Sequence, residues 1–310
     1  MDAIDWLLAG DPAIRWQAMR DLTDAGPATI AAERARVAHE GVGAEILASQ
    51  GADGPWHRTG APDWLPTLFT MQLLRATGVD PADPDVESAV GRLEAGFQWA
   101  EEFRDKPDKT FFDGEVEPCI NGGVLALGAY FGRPAESLAQ RLIGEQLADG
   151  GWNCEAPKST RSSFHTTICV LEGLLEYERA VGSTPEIAAA RRRGEEYLLE
   201  RALFRRLSTR EVALPAFLKF AFPPRYHYDV LRGLDYFRAA SAAPDARVAE
   251  AVEVVEQRRQ PDRRWLLDNA HDEALAFALE ESVGQPSRWN TVRALRVLRW
   301  YERRAPQPTG

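Results

Sequence analysis

A short turn recurs three times along the chain, and it constrains the fold more tightly than any other feature. The copies are Gln50-Gly-Ala-Asp53-Gly54-Pro-Trp56, Gln146-Leu-Ala-Asp149-Gly150-Gly151-Trp152 and Arg259-Gln-Pro-Asp262-Arg-Arg-Trp265. Each sets Asp three residues before Trp, after one helical stretch and before another. Asp-Gly suits a tight turn in which glycine takes a positive φ. The Trp can then bury a large apolar ring between neighbouring helices. Recurrence at wide, roughly regular spacing marks an array of stacked helical repeats. The expected fold is all-α, with paired helices closing into a ring around a central cavity.

The helices that follow the turns align with one another. His165-Thr-Thr-Ile-Cys-Val-Leu171 matches Trp289-Asn-Thr-Val-Arg-Ala-Leu295, with Thr167 and Thr291 in register. Cys119-Ile-Asn-Gly-Gly-Val-Leu125 is a third copy. Looser copies begin near Pro66-Thr67 and around Tyr226-His227-Tyr228-Asp229. About five inner helices result, and their N-terminal ends, with free N–H groups and partial positive charge, would face one mouth of the cavity. Helical periodicity recurs elsewhere: Val248, Ala251, Val252 and Val255 share a face behind the N-cap candidate Asp245, and Thr184-Pro185 opens another helix. Alternating strand patterns are absent. Residues 1–310 read as one domain, with helices of 1–45 as a cap, 46–302 as the repeat ring and 303–310 as a frayed tail.

The net charge of −10 disfavours nucleic acid and anionic membranes as partners. Arg191-Arg192-Arg193 reads as a solvated helix face. The three cysteines, Cys119, Cys154 and Cys169, cannot all pair within one chain, and the acidic start lacks a secretory pattern. No apolar run approaches membrane-spanning length. These features predict a cytoplasmic protein with free thiols and no integral membrane segment.

The Gln-x-x-Asp-Gly-Gly-Trp turn followed by an inner helix, best preserved at Gln146–Trp152, resembles the repeat of the squalene cyclase and protein prenyltransferase superfamily. The likeness covers roughly residues 45–302 and extends to small bacterial squalene cyclase-like proteins of about this length. It implies an α/α toroid with an apolar central cavity. Triterpene cyclases of this superfamily carry an Asp-x-Asp-Asp acid motif, which this chain lacks; the nearest strings, Asp80-Pro-Ala-Asp83 and Asp83-Pro-Asp85, lie in a proline-rich turn.

Protein prenyltransferase β subunits hold a catalytic zinc with an Asp-x-Cys pair and a later aromatic-His-Thr segment. The similar residues here are Glu117-Pro118-Cys119 and Phe164-His165-Thr166. The resemblance therefore implies zinc at Glu117, Cys119 and His165. Thiolate, imidazole and carboxylate make a suitable set, leaving the fourth position open. Two features depart from the pattern. Glu117 replaces Asp. The basic residues that would grip a diphosphate are missing near Phe111 and Gly114, although Arg104, Lys106 and Lys109 lie upstream. Cys154 and Cys169 read as structural thiols.

In the cluster Tyr226-His227-Tyr228-Asp229, His227, Tyr228 and Asp229 are candidates for moving protons. Trp64, Trp152, Tyr226 and Trp289 are candidates for contacting substrate, by stacking or by cation–π attraction. His39, His57 and His271 read as surface or loop residues, and Asn269–Glu273 as a loop at a cavity mouth. The expected function is a zinc-dependent transformation of an apolar, isoprenoid-type small molecule in the cavity. The alternatives are a metal-free terpene cyclase or lyase using an acid such as Asp229, and a non-catalytic toroid that binds a lipid or a protein partner.

Overall fold

The computed structural model describes residues 2–101, 109–241, 243–271 and 282–303. Arg104, Lys106, Asp272, Glu273 and nearly all of the tail lie outside the described residues. Thirteen α-helices span the described residues: α1 (Ala3–Leu8), α2 (Pro12–Leu22), α3 (Pro27–Ala35), α4 (Gly41–Ala48), α5 (Trp64–Thr77), α6 (Pro84–Gly96), α7 (Pro118–Tyr130), α8 (Glu136–Gly144), α9 (Phe164–Val181), α10 (Pro185–Leu199), α11 (Val230–Ala240), α12 (Ala249–Gln257) and α13 (Arg288–Glu302). Helices α2, α3, α6, α7 and α10 begin on a proline, which loses no hydrogen bond there and has φ preset for the helix. Among the described residues there is no strand, only isolated β-bridges. The fold is all-α, as the repeat pattern predicts, and no helix among these residues is long and apolar enough to cross a membrane.

The chain divides into two compact units. One comprises residues 34–197, with α4 to α9 and most of α10. The other joins the N-terminal helices to the chain from residue 198 onward. In this second unit α1 and α2 pack against α13. Arg296 of α13 donates to Gln17 Oε1 at 3.1 Å, and Arg299 donates to the Asp21 carbonyl at 3.0 Å. Arg296 also pairs with half-buried Asp235 of α11, which accepts from Arg238 at 2.8 Å. Burial alone would raise the Asp235 carboxyl, but Arg296, Arg238 and Arg293 hold it well below the usual carboxylate range.

The three turns share one hydrogen-bonding scheme. Trp56, Trp152 and Trp265 are fully buried. Their indole N–H groups donate to the carbonyls of Ile46, Leu142 and Val255, each ten residues earlier, at 3.0, 2.6 and 2.8 Å. Their backbone N–H groups donate to the hydroxyls of Thr67, Thr167 and Thr291 at 3.0, 3.1 and 3.0 Å. Thr167 and Thr291, aligned by sequence register, and Thr67 of the looser copy are thus the clasps that tie each turn to the helix after it. Gln50 and Gln146 each donate to the carbonyl of the turn glycine, Gly54 or Gly150, and to a carbonyl of the second helix after the turn, Ala89 of α6 or Ala190 of α10. Gly54 and Gly150 take φ of +111° and +95°, and Arg263 occupies the matching place at +65°.

Candidate functional site

The segment Glu115-Val-Glu117-Pro-Cys119 leads into α7, with Pro118 in its first turn and Glu117 extended at the N-cap. Buried Asn121 fastens this entry: its Oδ1 accepts the Glu115 N–H at 2.7 Å, and its Nδ2 donates to the Glu115 carbonyl at 3.0 Å. Arg141 of α8 adds bonds to the carbonyls of Glu115 and Val116 at 2.6 and 3.0 Å. Gly114 just before has φ +75°, and a Cβ there would stand 2.4 Å from Asn121 Oδ1, so both conformation and space call for glycine.

Two further glycines bring α7 and α9 into backbone contact. A Cβ on Gly122 would lie 2.4 Å from the Cys169 carbonyl oxygen, and one on Gly173 would lie 2.4 Å from that of Gly122. This close crossing sets the first turns of α7 and α9 near each other. The loop after Trp152 then delivers Cys154, whose Sγ lies 3.4 Å from Thr166 Oγ1 in the first turn of α9.

The result is a cluster of three donors. One carboxylate oxygen of Glu117 and the sulfurs of Cys119 and Cys154 all lie within 4.8 Å of one another. Cys119 Sγ stands 3.8 Å from Glu117 Oε2. Both thiols are half-buried, whereas Cys169 is buried. The hydrogen bond between the thiols pushes Cys119 up, with burial adding to it, and the same bond pulls Cys154 down. Of the residues that resemble zinc ligands, Glu117 and Cys119 come together here. His165 is half-buried in the first turn of α9, next to Thr166, and is not one of the three clustered donors. The third position belongs to Cys154, which sequence reading treats as structural.

Glu115 went unnoticed in the sequence. It is buried, and its carboxylate accepts the backbone N–H groups of Val116 at 2.6 Å and Glu117 at 2.7 Å, bracing the residue that presents the Glu117 carboxylate. Burial pushes its pKa up to about 7, against the pull of those two bonds.

An aromatic wall stands beside this entry. The 3-10 turn Phe111–Asp113 packs on α7. Phe111 stacks on Trp99 at 5.8 Å, and Phe97 meets both edge-on at 5.1 Å. Half-buried Trp64, in the first turn of α5, lies 6.3 Å from Trp99. Trp152 is fully buried in its repeat turn. Lys109 lies just before the Phe111–Asp113 turn.

The second polar cluster belongs to the other unit. Asp229 is the N-cap of α11: its Oδ1 accepts the Arg232 N–H at 2.7 Å and its Oδ2 accepts that of Ala221 at 3.2 Å. Burial raises its carboxyl against the attraction of Arg293. Buried Tyr228 donates its hydroxyl to the Leu203 carbonyl at 2.6 Å. Half-buried Tyr226 leans on His227 at 4.3 Å, and His227 stacks on His271 at 3.7 Å. Trp289 stacks on Phe222 at 4.3 Å. A separate cleft of about 400 Å³ is lined by Leu218, Val254, Gln257, Arg258, Gln260 and Asp268, none of them a candidate residue.

The other histidines also have partners. His57 bridges Asp63 at 2.8 Å and Asp53 at 2.9 Å. The bond to Asp53, followed by that to Asp63, raises its pKa. Exposed His39 adjoins Asp83 and Asp85.

No family model matches the chain, and no curated protein does. Among solved structures it is similar to a protein from Actinoplanes, at 15% identity and TM-score 0.46, over 93% of this chain and 88% of that one. It is also similar to the type II terpene cyclase MstE from Scytonema, at 17% identity and TM-score 0.46, over 93% of this chain and 86% of that one. A variant of that cyclase, in complex with the product merosterolic acid A, is similar at 16% identity. Likeness of this degree carries no functional argument.

Proposed function

We propose that this chain is a zinc-dependent enzyme that transforms an apolar, isoprenoid-type small molecule, with chemistry of the prenyltransferase or cyclase kind. The observation that carries the reading is the convergence of Glu117, Cys119 and Cys154 within 4.8 Å. The donors suit the ion. With Zn–S near 2.3 Å and Zn–O near 2.1 Å, tetrahedral ligand atoms stand about 3.6–3.8 Å apart. The 3.8 Å between Cys119 Sγ and Glu117 Oε2 matches that spacing. Glu117, Cys119 and Cys154 would hold the metal, and the imidazole of His165, beside Thr166, is the further candidate ligand. Zinc bound there supplies Lewis acidity and lowers the pKa of a thiol, hydroxyl or water at its open position.

The remaining roles belong to the chain itself. Glu115 and Asn121 hold the Glu117 backbone, so that its carboxylate starts from a fixed place. Half-buried Trp64 is the ring that can offer apolar and π surface to a hydrocarbon, and the buried Trp99 and Phe111 stand behind it. The apolar substrate class is supported by half-buried Trp64 and by the resemblance of the Gln146–Trp152 turn.

Elemental analysis of purified protein tests the reading, with Cys119→Ala, Cys154→Ala and His165→Ala alongside. The expected result is about one zinc per chain, retained by wild type and lost with either cysteine. His165→Ala shows whether the imidazole joins the set. Protein that stays metal-free after reconstitution with zinc under reducing conditions would overturn the proposal, and activity that survives a chelator would favour acid catalysis without a metal.

A further inference from the structure

The pairing of Cys119 with Cys154 has a consequence that does not depend on any metal. The two sulfurs sit within 4.8 Å of each other on different elements, one in the first turn of α7 and the other in the loop between Trp152 and α9. A disulfide needs its sulfurs about 2.05 Å apart. Cys154 lies outside helix, so rotation of its side chain and a small shift of its loop can close the gap. Cys119 is held by the α7 entry that Asn121 and Arg141 fasten. Both thiols are half-buried and reachable, whereas Cys169 is 3% exposed in the middle of α9, against the backbone of α7.

We infer that Cys119 and Cys154 form a reversible disulfide, a redox modification site, by exchange with a low-molecular-weight disulfide. Cys154 is the attacking sulfur, because Thr166 Oγ1 at 3.4 Å can donate to it as charge develops. It gives up its proton to solvent and bonds to one sulfur of the small disulfide, whose other half leaves as a thiolate and is protonated. Cys119 then loses its proton and attacks the Cys154 sulfur, releasing the second half as a thiol. In sum, two protein thiols and one small disulfide become one protein disulfide and two small thiols, which carry the two electrons and two protons removed. Oxidation consumes both sulfurs of the cluster, so the oxidised chain cannot offer them to a metal.

The test uses full-length, metal-free protein incubated with oxidised glutathione, then unfolded, alkylated and mapped by mass spectrometry. Cys119 and Cys154 are expected in one cross-linked peptide pair, with Cys169 alone alkylated. The intact mass before alkylation should fall by about 2 Da, the two hydrogens lost. Cys119→Ser should stop at a glutathione adduct on Cys154, and dithiothreitol should restore three alkylatable thiols in wild type. Three alkylated cysteines after prolonged oxidation, a bond to Cys169, or a persistent glutathione adduct in wild type would each overturn the inference. The metal reading can fail while this result stands, because no metal is present in the assay.

Discussion

Thr167→Val is the sharpest probe of the repeat clasps. The Thr167 side chain is fully buried; its hydroxyl accepts the Trp152 N–H at 3.1 Å and lies 3.4 Å from the Trp152 carbonyl. Valine keeps the shape but removes the acceptor, so the Trp152 N–H loses its bond in a dry environment. Leaving such a donor unsatisfied costs about 1–3 kcal/mol. Thr167→Ser keeps the hydroxyl and removes one buried methyl, which costs about 0.8 kcal/mol. The valine variant should therefore be the less stable by about 1 kcal/mol. In a cooperative unit of 150–250 residues each kcal/mol moves the melting temperature by about 2–4 °C. Valine should thus lower Tm by about 4–8 °C, and serine by about half as much. Thermal and urea unfolding, followed by circular dichroism, measure both. The same ordering is expected at Thr67 and Thr291, which make the same bond to Trp56 and Trp265. A valine variant as stable as wild type, or a serine variant less stable than valine, would refute the clasp.

Three other outcomes follow from the packing and the charges. Arg263→Gly should stabilise the protein by about 0.5–1 kcal/mol in urea unfolding, because Arg263 holds φ +65° where the other two turns have glycine. Gly122→Ala should destabilise it by about 1–3 kcal/mol or more, because its Cβ would lie 2.4 Å from the Cys169 carbonyl oxygen; a melting curve like that of wild type would show that α7 and α9 do not meet there. Asp235 has its pKa depressed in the fold, so its contribution to stability is present above the unfolded value of about 3.9 and is lost as pH falls below it. Melting temperature should accordingly drop on acidification below about pH 4, and Asp235→Asn should be less stable than wild type at neutral pH, with a shallower acid slope. Equal acid slopes in the two proteins would remove Asp235 from that account.

The helical repeats were legible because their signals are local. Asp-Gly turns, Trp after a fixed interval, and proline at helix starts each dictate nearby backbone. The threonine register was legible too, although its reason, a hydroxyl accepting the Trp N–H, shows only in three dimensions. Glu117 and Cys119 could be read together because only Pro118 separates them at a helix entry. Cys154 could not be placed, because its approach depends on the glycine crossing of α7 and α9 and on the course of a loop, neither of which leaves a periodic trace. The role of Glu115 stayed hidden for a related reason: a glutamate in a turn reads as solvated until Asn121 and Arg141 are seen to fasten its backbone. The stacking of His227 on His271 joins residues far apart in the chain, and no spacing announces it.

X-ray absorption at the zinc edge on the reconstituted, reduced protein bears most directly on the proposed centre, because it counts the sulfur neighbours of the metal. The account predicts two sulfurs at about 2.3 Å, from Cys119 and Cys154, with oxygen or nitrogen completing the shell. A single sulfur with an imidazole signature would put His165 in the place given to Cys154, and zinc with no sulfur neighbour would contradict the site altogether.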